Sequence, residues 1–200
     1  MRIPAPSDET MARLRADLAA RATEQGLLDV AYAAMDTPLG TLTISATPRG
    51  VVRIAFDNER LDDVLGELAG RLSPRILHAP ARLDAARREL DEYFAGRRTT
   101  FDLALDWSLS RGFRRDVLTA TARIPYAGTS TYGQIAAAAG SPRAFRAAGT
   151  ALATNPIPVI VPCHRVLPAS GDVGQYRGGS SRKRLLLRLE SGAGVPDAVR

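Results

Sequence analysis

Apolar positions along the chain change period twice. Residues 7–25 carry Met11, Leu14, Leu18 and Ala22 at three- and four-residue intervals, the spacing of one helix face, with Ser7 placed to cap the first turn. From Val30 the period drops to two. The runs 30–35, 39–47 and 51–56, separated by Thr37-Pro38 and by Pro48-Arg49-Gly50, read as an antiparallel meander. Helical spacing returns at 61–72 (Leu61, Val64, Leu65, Leu68, Leu72) and at 81–95, where Leu83, Ala86, Leu90 and Phe94 form one stripe closed by Gly96. Residues 100–105, TFDLAL, alternate like a last strand. The pattern predicts a small α/β unit with a mixed sheet over 29–106, preceded by a helical extension, 1–28.

The rest reads as mostly helical. A helix is expected over 112–123, with Phe113, Val117, Leu118 and Ala122 on its stripe and Ile124-Pro125 ending it. A helix–turn–helix follows: Thr131 caps 132–139, Gly140-Ser141-Pro142 turns the chain, and 143–153 forms the second helix, closed by Asn155-Pro156. That second helix, RAFRAAGTALA, is crowded with alanine and glycine, so its backbone can approach another surface closely. The surface is either a core helix or a phosphate-bearing ligand, and Arg143 and Arg146 favour the ligand.

Composition narrows the setting. At 200 residues, 45% hydrophobic and 24% charged, the chain is one ordinary domain or two small ones, with enough apolar material for a core. No run nears the roughly 18 apolar residues of a membrane span. The start, MRIPAPSDET, lacks the apolar stretch of a secretory signal, so a cytoplasmic protein without membrane contact is expected. Cys163 is the only cysteine, which excludes an intramolecular disulfide and a cysteine-cluster zinc site; with His78 and His164 the only histidines, no metal is expected. Charge is segregated: residues 1–106 hold 14 Lys/Arg against 17 Asp/Glu, a net of −3, while residues 107–200 hold 13 against 4, a net of +9. Arginine supplies 26 of the 27 basic residues. Genome composition explains arginine over lysine but not the sorting by sign, which points the second half at a polyanion.

The candidate chemistry lies in IPVIVPCHRV, 157–166. An apolar, strand-like run, 157–161, delivers Cys163 followed at once by His164 and Arg165. A lone cysteine beside a buried strand is usually a small packed hydrophobe, but a basic neighbourhood stabilises the nucleophilic thiolate. A glycine-rich loop, 171–179, is placed to bring backbone N–H groups to a flat ligand. The helix expected over 182–189 ends at Glu190, either a solvated glutamate at a helix end or the orienter of His164.

Pro162-Cys163-His164-Arg165-Val166 resembles the active-site signature of the O6-alkylguanine-DNA alkyltransferases, the methylated-DNA–protein-cysteine S-methyltransferases. Ile124-Pro125, Thr131-Tyr132-Gly133-Gln134-Ile135-Ala136, Arg146-Ala147-Ala148-Gly149 and Asn155-Pro156 resemble further family blocks in order and spacing. So does Gly174-Gln175-Tyr176-Arg177-Gly178-Gly179, followed by Lys183, Leu185-Leu186 and Glu190. The likeness covers 107–191 strongly and 30–106 weakly, through the turn at 37–40.

The resemblance implies a ribonuclease-H-like α/β scaffold (29–106), a mostly α DNA-binding and alkyl-acceptor domain with a helix–turn–helix (107–191), and a tail (192–200). Cys163 would take the alkyl group from O6-alkylguanine, and from O4-alkylthymine, in a single turnover without cofactor. His164 would deprotonate it through a water and Glu190 would hold His164. Asn155 would brace the turn after the recognition helix. Tyr132 would hydrogen-bond the flipped base, and Arg146 would enter the stack that the base leaves. Ala147 and Gly149 would line the minor-groove face of the helix. Backbone groups at Cys163, Val166 and Arg177 would read the base edge, and Tyr176 would wall the pocket. The partner is double-stranded DNA containing O6-alkylguanine, with no obligate protein partner. The physics agrees: O6 is hidden in a duplex, so the base must be extruded, and a slim helix suits a groove about 6 Å wide. Departures are bulky Phe145 before the arginine, as a second wedge or a core contact, the unexplained 1–28 extension, and the absence of the N-terminal zinc cysteines that some relatives carry.

Three other readings compete. A non-catalytic damaged-DNA binder of this fold lacks the acceptor cysteine, which is present here. A helix–turn–helix regulator leaves PCHRV and the glycine-rich loop unexplained. A cysteine hydrolase has the Cys-His pair but no local signature.

Overall fold

The computed structural model describes residues 7–170 and 172–192. Gly171 and all but the first residue of the expected 192–200 tail lie outside them, as do residues 1–6. Helix α1, Asp8–Glu24, starts at Ser7, whose side-chain oxygen accepts from the Thr10 N–H at 3.2 Å. Its buried side shares only Ala22 with the expected leucine-bearing stripe. Ala19 and Ala22 pack on Leu28, Ala31, Ala79 and Leu77, while Leu14 and Leu18 stand 51% and 55% exposed. The small residues let the helix backbone lie close to the sheet edge, and that rotation turns the leucines outward.

The meander forms as expected: β1 (Val30–Thr37), β2 (Gly40–Thr47) and β3 (Gly50–Phe56) are antiparallel. After α2 (Leu61–Arg71), a short β4 (Ile76–His78) adds parallel to β1, giving the mixed order β3-β2-β1-β4. Three residues are too few to show a period, so β4 was not anticipated. The expected helix over 81–95 begins instead with a 3₁₀ turn, Pro80–Leu83, and α3 itself is Asp84–Phe94.

The expected strand over 100–105 is corrected. Phe101, Leu103 and Leu105 are half-buried and Asp102 and Ala104 exposed, so the side chains do alternate. The segment nevertheless makes a single bridge, Leu105 to Val51. It runs parallel beside the start of β3, where a Cβ on Gly50 (φ 133°) would collide with the Ala104 carbonyl. An extended chain that pairs with a strand at a single residue is period-two without forming a strand of the sheet.

Beyond it lie α4 (Gly112–Thr121), β5 (Ser130–Thr131), α5 (Tyr132–Ala138), α6 (Phe145–Ala153), β6 (Val166–Leu167) and α7 (Ser180–Glu190). Thr131 caps α5 as expected, and Gln134 completes a full capping box. Helix α6 starts two residues later than expected, because Arg143 and Ala144 belong to the turn. β5 and β6 pair in parallel, a two-residue ribbon with no sequence signal. One apolar cluster runs through both parts, joining Phe56, Leu90 and Tyr93 to Ile135, Leu152, Val161 and Leu186. A second lies between the other sheet face and α2, around Val30, Val52, Val64 and Leu68. Each fully buried Leu, Ile or Phe side chain contributes about 1.5–3 kcal/mol, so a shared cluster fixes the two parts against each other.

Candidate active site

The apolar run 157–161 is a buried turn rather than a strand. Val159 sits at φ 74°, a left-handed conformation that costs a β-branched residue about 1–3 kcal/mol. Asn155 over-determines it from within. Its Oδ1 accepts from the Ile157 N–H (3.0 Å) and its Nδ2 donates to the Val161 carbonyl (2.9 Å). From the sheet, the Ile54 N–H donates to the Pro156 carbonyl at 2.8 Å. The turn leads into a 3₁₀ segment, Cys163–Arg165, that holds the thiol at the floor of a cleft. Asn155 Nδ2 also donates to Cys163 Sγ, at 3.1 Å.

The cleft measures about 280 Å³ and is lined by Tyr132, Gly149, Leu152, Cys163, Pro168 and Tyr176, among others. Gly174 (φ 67°) brings the glycine-rich loop over it, its backbone packed on Pro168 and near the Tyr132 hydroxyl. Tyr176 stands edge-on between Phe56 of β3 (5.7 Å) and His164 (6.5 Å), and its buried hydroxyl has no partner among the described residues.

Glu190 is no solvated glutamate. It is 4% exposed, and its carboxylate collects five donors. Oε1 accepts from Tyr93 Oη (2.5 Å) and Arg165 Nη2 (2.8 Å) and lies 2.8 Å from His164 Nε2. Oε2 accepts from Arg165 Nε (2.9 Å) and the Ala127 N–H (3.3 Å). Burial alone would raise its pKa, but the bonds from His164 and Arg165 outweigh it and bring it down to about 2. A carboxylate that is always ionised accepts only, so the single proton of a neutral His164 sits on Nε2. Its Nδ1 is then a bare lone pair, buried and without a protein partner among the described residues. Burial holds His164 below the usual histidine value, so it is neutral at physiological pH.

The expectation that basic neighbours hold Cys163 as thiolate is corrected. Desolvation pushes the thiol up to about 11, against the Asn155 hydrogen bond and the charge of Lys183. His164 is neutral, and Arg165 is turned away into Glu190 and the Ile124 carbonyl. At rest the site holds a thiol.

The other expected residues fall into two groups. Tyr132, Gly149 and Tyr176 share the cleft with Cys163. Arg146 and Ala147 are exposed on α6, with Arg146 in no ion pair among the described residues. The Val166 carbonyl accepts from Lys183 Nζ (2.7 Å). Arg177 reaches across to Glu59 (2.6 Å) and its carbonyl accepts from Asn58 (3.4 Å), so it ties the loop to the sheet. Sequence reasoning missed Tyr93 and Lys183 as parts of the site, and it took Arg165 for a neighbour of the thiol rather than a partner of Glu190. Lys183, the sole lysine in an arginine-rich chain, carried a compositional signal; Tyr93 carried none.

Two family profiles match. That of the 6-O-methylguanine DNA methyltransferase ribonuclease-like domain covers residues 30–107, and that of the same family's DNA binding domain covers 112–192. A methylated-DNA–protein-cysteine methyltransferase of Mycobacterium tuberculosis is 38% identical over 166 residues, 83% of this chain and 95% of its own length. The constitutive enzyme of Bacillus subtilis is 35% identical over 80% of this chain and 94% of its own. The crystal structure of Mycobacterium tuberculosis OGT in complex with DNA superposes with a TM-score of 0.71 at 37% identity, covering 84% of this chain and 96% of that one. The chain belongs to the 6-O-methylguanine DNA methyltransferase family, whose reaction is DNA repair by alkyl transfer to a protein cysteine. Among the described residues no helix is long and apolar enough to cross a membrane.

Proposed function

We propose that this chain takes alkyl groups from O6-alkylguanine, and from O4-alkylthymine, in double-stranded DNA onto Cys163, once per molecule, in the cytoplasm. The observation that carries it is a buried thiol on the floor of a cleft, next in sequence to a neutral histidine whose free nitrogen lies inside the protein. His164 takes the thiol proton through a bridging water, and Glu190 fixes the tautomer that leaves Nδ1 basic. The sulfur attacks the alkyl carbon, the C–O6 bond breaks, a thioether forms, and the departing guanine gains the proton. The thioether is stable, so the site is spent.

The base must enter a cleft that a duplex cannot reach, so it is flipped. Tyr132 hydrogen-bonds the base, Tyr176 walls it, Gly149 leaves room for it, and backbone groups at Cys163, Val166 and Arg177 read its edge. Ala147 lies against the groove, and Arg146 takes the vacated place in the stack. The division into scaffold (29–106) and acceptor domain (107–191) follows from these roles.

The test is intact-protein mass spectrometry after incubation with O6-methylguanine duplex. We expect one methylene gained on the Cys163 peptide and no turnover; Cys163→Ala gains nothing but still binds DNA. Methyl removal by Cys163→Ala overturns the assignment. Arg146→Ala should slow duplex repair about 10-fold, roughly 1.4 kcal/mol, and affect the free base far less. Equal losses on both would refute the role given to Arg146.

A further inference from the structure

Helix α6 buries Ala148, Ala151 and Leu152 and turns Phe145, Arg146, Ala147, Thr150 and Ala153 outward. Every outward residue but two is small. Phe145 is 51% exposed and belongs to no apolar cluster, so the core-contact reading of this residue fails. Its ring meets the Arg146 guanidinium at 5.8 Å. Phe145, Gly149 and Leu152 follow helical spacing along one face, and the latter two line the cleft above Cys163. The aromatic ring therefore stands one turn beyond the rim of the cleft, on the face that runs into it. Helical side chains lean towards the N-terminus, so the ring projects off the start of α6 rather than over the cleft. A flat apolar ring held clear of protein on an otherwise slim helix has the form of the wedges by which minor-groove proteins part base steps.

We propose that Phe145 is a second wedge: it enters the base stack at the step beside the extruded nucleotide, with Arg146 laid against it. The ring stacks on the flanking base pair, and the guanidinium, already aligned by the ring, fills the gap. This rests on the base-flipping reading above, and the ligand it adds is the neighbouring base-pair step. Stacking on an aromatic residue adds a sequence-tolerant grip, since every base has a π-face. Undamaged and damaged steps alike would be probed this way.

The experiment compares the wild type with Phe145→Ala, Phe145→Leu and Arg146→Ala. It measures single-turnover transfer from an O6-methylguanine duplex and from free O6-benzylguanine. A second readout is the fluorescence of 2-aminopurine placed next to the lesion, measured with Cys163→Ser forms so that the complex persists. Phe145→Ala should slow duplex transfer fivefold or more, leave the free-base rate within twofold, and lose most of the fluorescence gain. Phe145→Leu, still an apolar wedge, should recover most of both. Unchanged duplex rate and fluorescence in Phe145→Ala overturn the proposal, as do equal losses on duplex and free base. If the wild-type complex itself gives no fluorescence gain while Phe145→Ala slows the duplex, base flipping is the reading that has failed, and the wedge falls with it.

Discussion

Cys163 and His164 are both kept uncharged by burial. The thiol is pushed up to about 11 and the imidazole is held below its usual value. Transfer thus depends on moving one proton within the site, and its rate should be flat near neutrality. On acidification the rate should fall only below the ordinary histidine pKa of about 6.5, as His164 takes a proton and loses its lone pair. The free base is the substrate to use, because its reaction carries no pH-dependent DNA binding; a rate already falling above pH 7 would contradict this. Glu190 carries the complementary effect on stability. Its pKa falls from 4.5 unfolded to about 2 folded, so its contribution is fully present above 4.5 and is lost as the pH drops towards 2. Glu190→Gln should flatten the melting-temperature profile across that window. It should also cost about 3–5 kcal/mol near neutrality by leaving the Arg165 guanidinium buried and uncompensated, measured by denaturant unfolding.

One side chain makes the side-chain bonds that hold the turn between α6 and Cys163, beside a backbone bond from Ile54 to Pro156. Three of its hydrogen bonds to Asn155, two to backbone groups and one to the thiol, are buried, and the turn contains a left-handed valine. Asn155→Ala leaves the Ile157 N–H and loses a donor to the Val161 carbonyl, each worth roughly 1–3 kcal/mol when buried and unpaired. It also raises the thiol pKa further, since the lowering bond is gone. Unfolding in urea should show a loss of about 2–4 kcal/mol, and transfer to the free base should slow. A variant with native stability and rate would mean that the turn holds itself.

The two parts of the chain meet at the site. Tyr93 of α3 donates to Glu190 of α7, Arg177 of the loop pairs with Glu59 beyond β3, and Arg182 pairs with Asp57 at 2.5 Å. The scaffold is therefore more than a support, because it supplies Tyr93, Glu59 and Asp57 to these contacts. Charge remains divided, net −3 before residue 107 and +9 after it. If four to six phosphates are contacted, the log–log slope of DNA affinity against salt should be about −4 to −5, from titrations at several salt concentrations. A slope near zero would place the basic excess away from DNA.

Local patterns were legible wherever an element is amphipathic or capped by its own residues. Ser7, the meander, the Thr131 cap and the glycine-rich loop all follow from spacing and capping chemistry within a few positions. PCHRV marked the nucleophile because adjacent Cys and His need no fold to be noticed. The rest is settled by distance in space. Residues 100–105 and 157–161 have strand-like patterns, yet one makes a single parallel bridge to β3 and the other is folded back by Asn155. The face of α1 was decided by which residues let it approach the sheet. Glu190 differs from a solvated helix-end glutamate only because Tyr93, 97 positions away, and Arg165, 25 away, converge on it. The charge state of Cys163 likewise could not be read from its basic neighbours, because desolvation is a property of the packed interior and outweighs charges that the fold turns elsewhere.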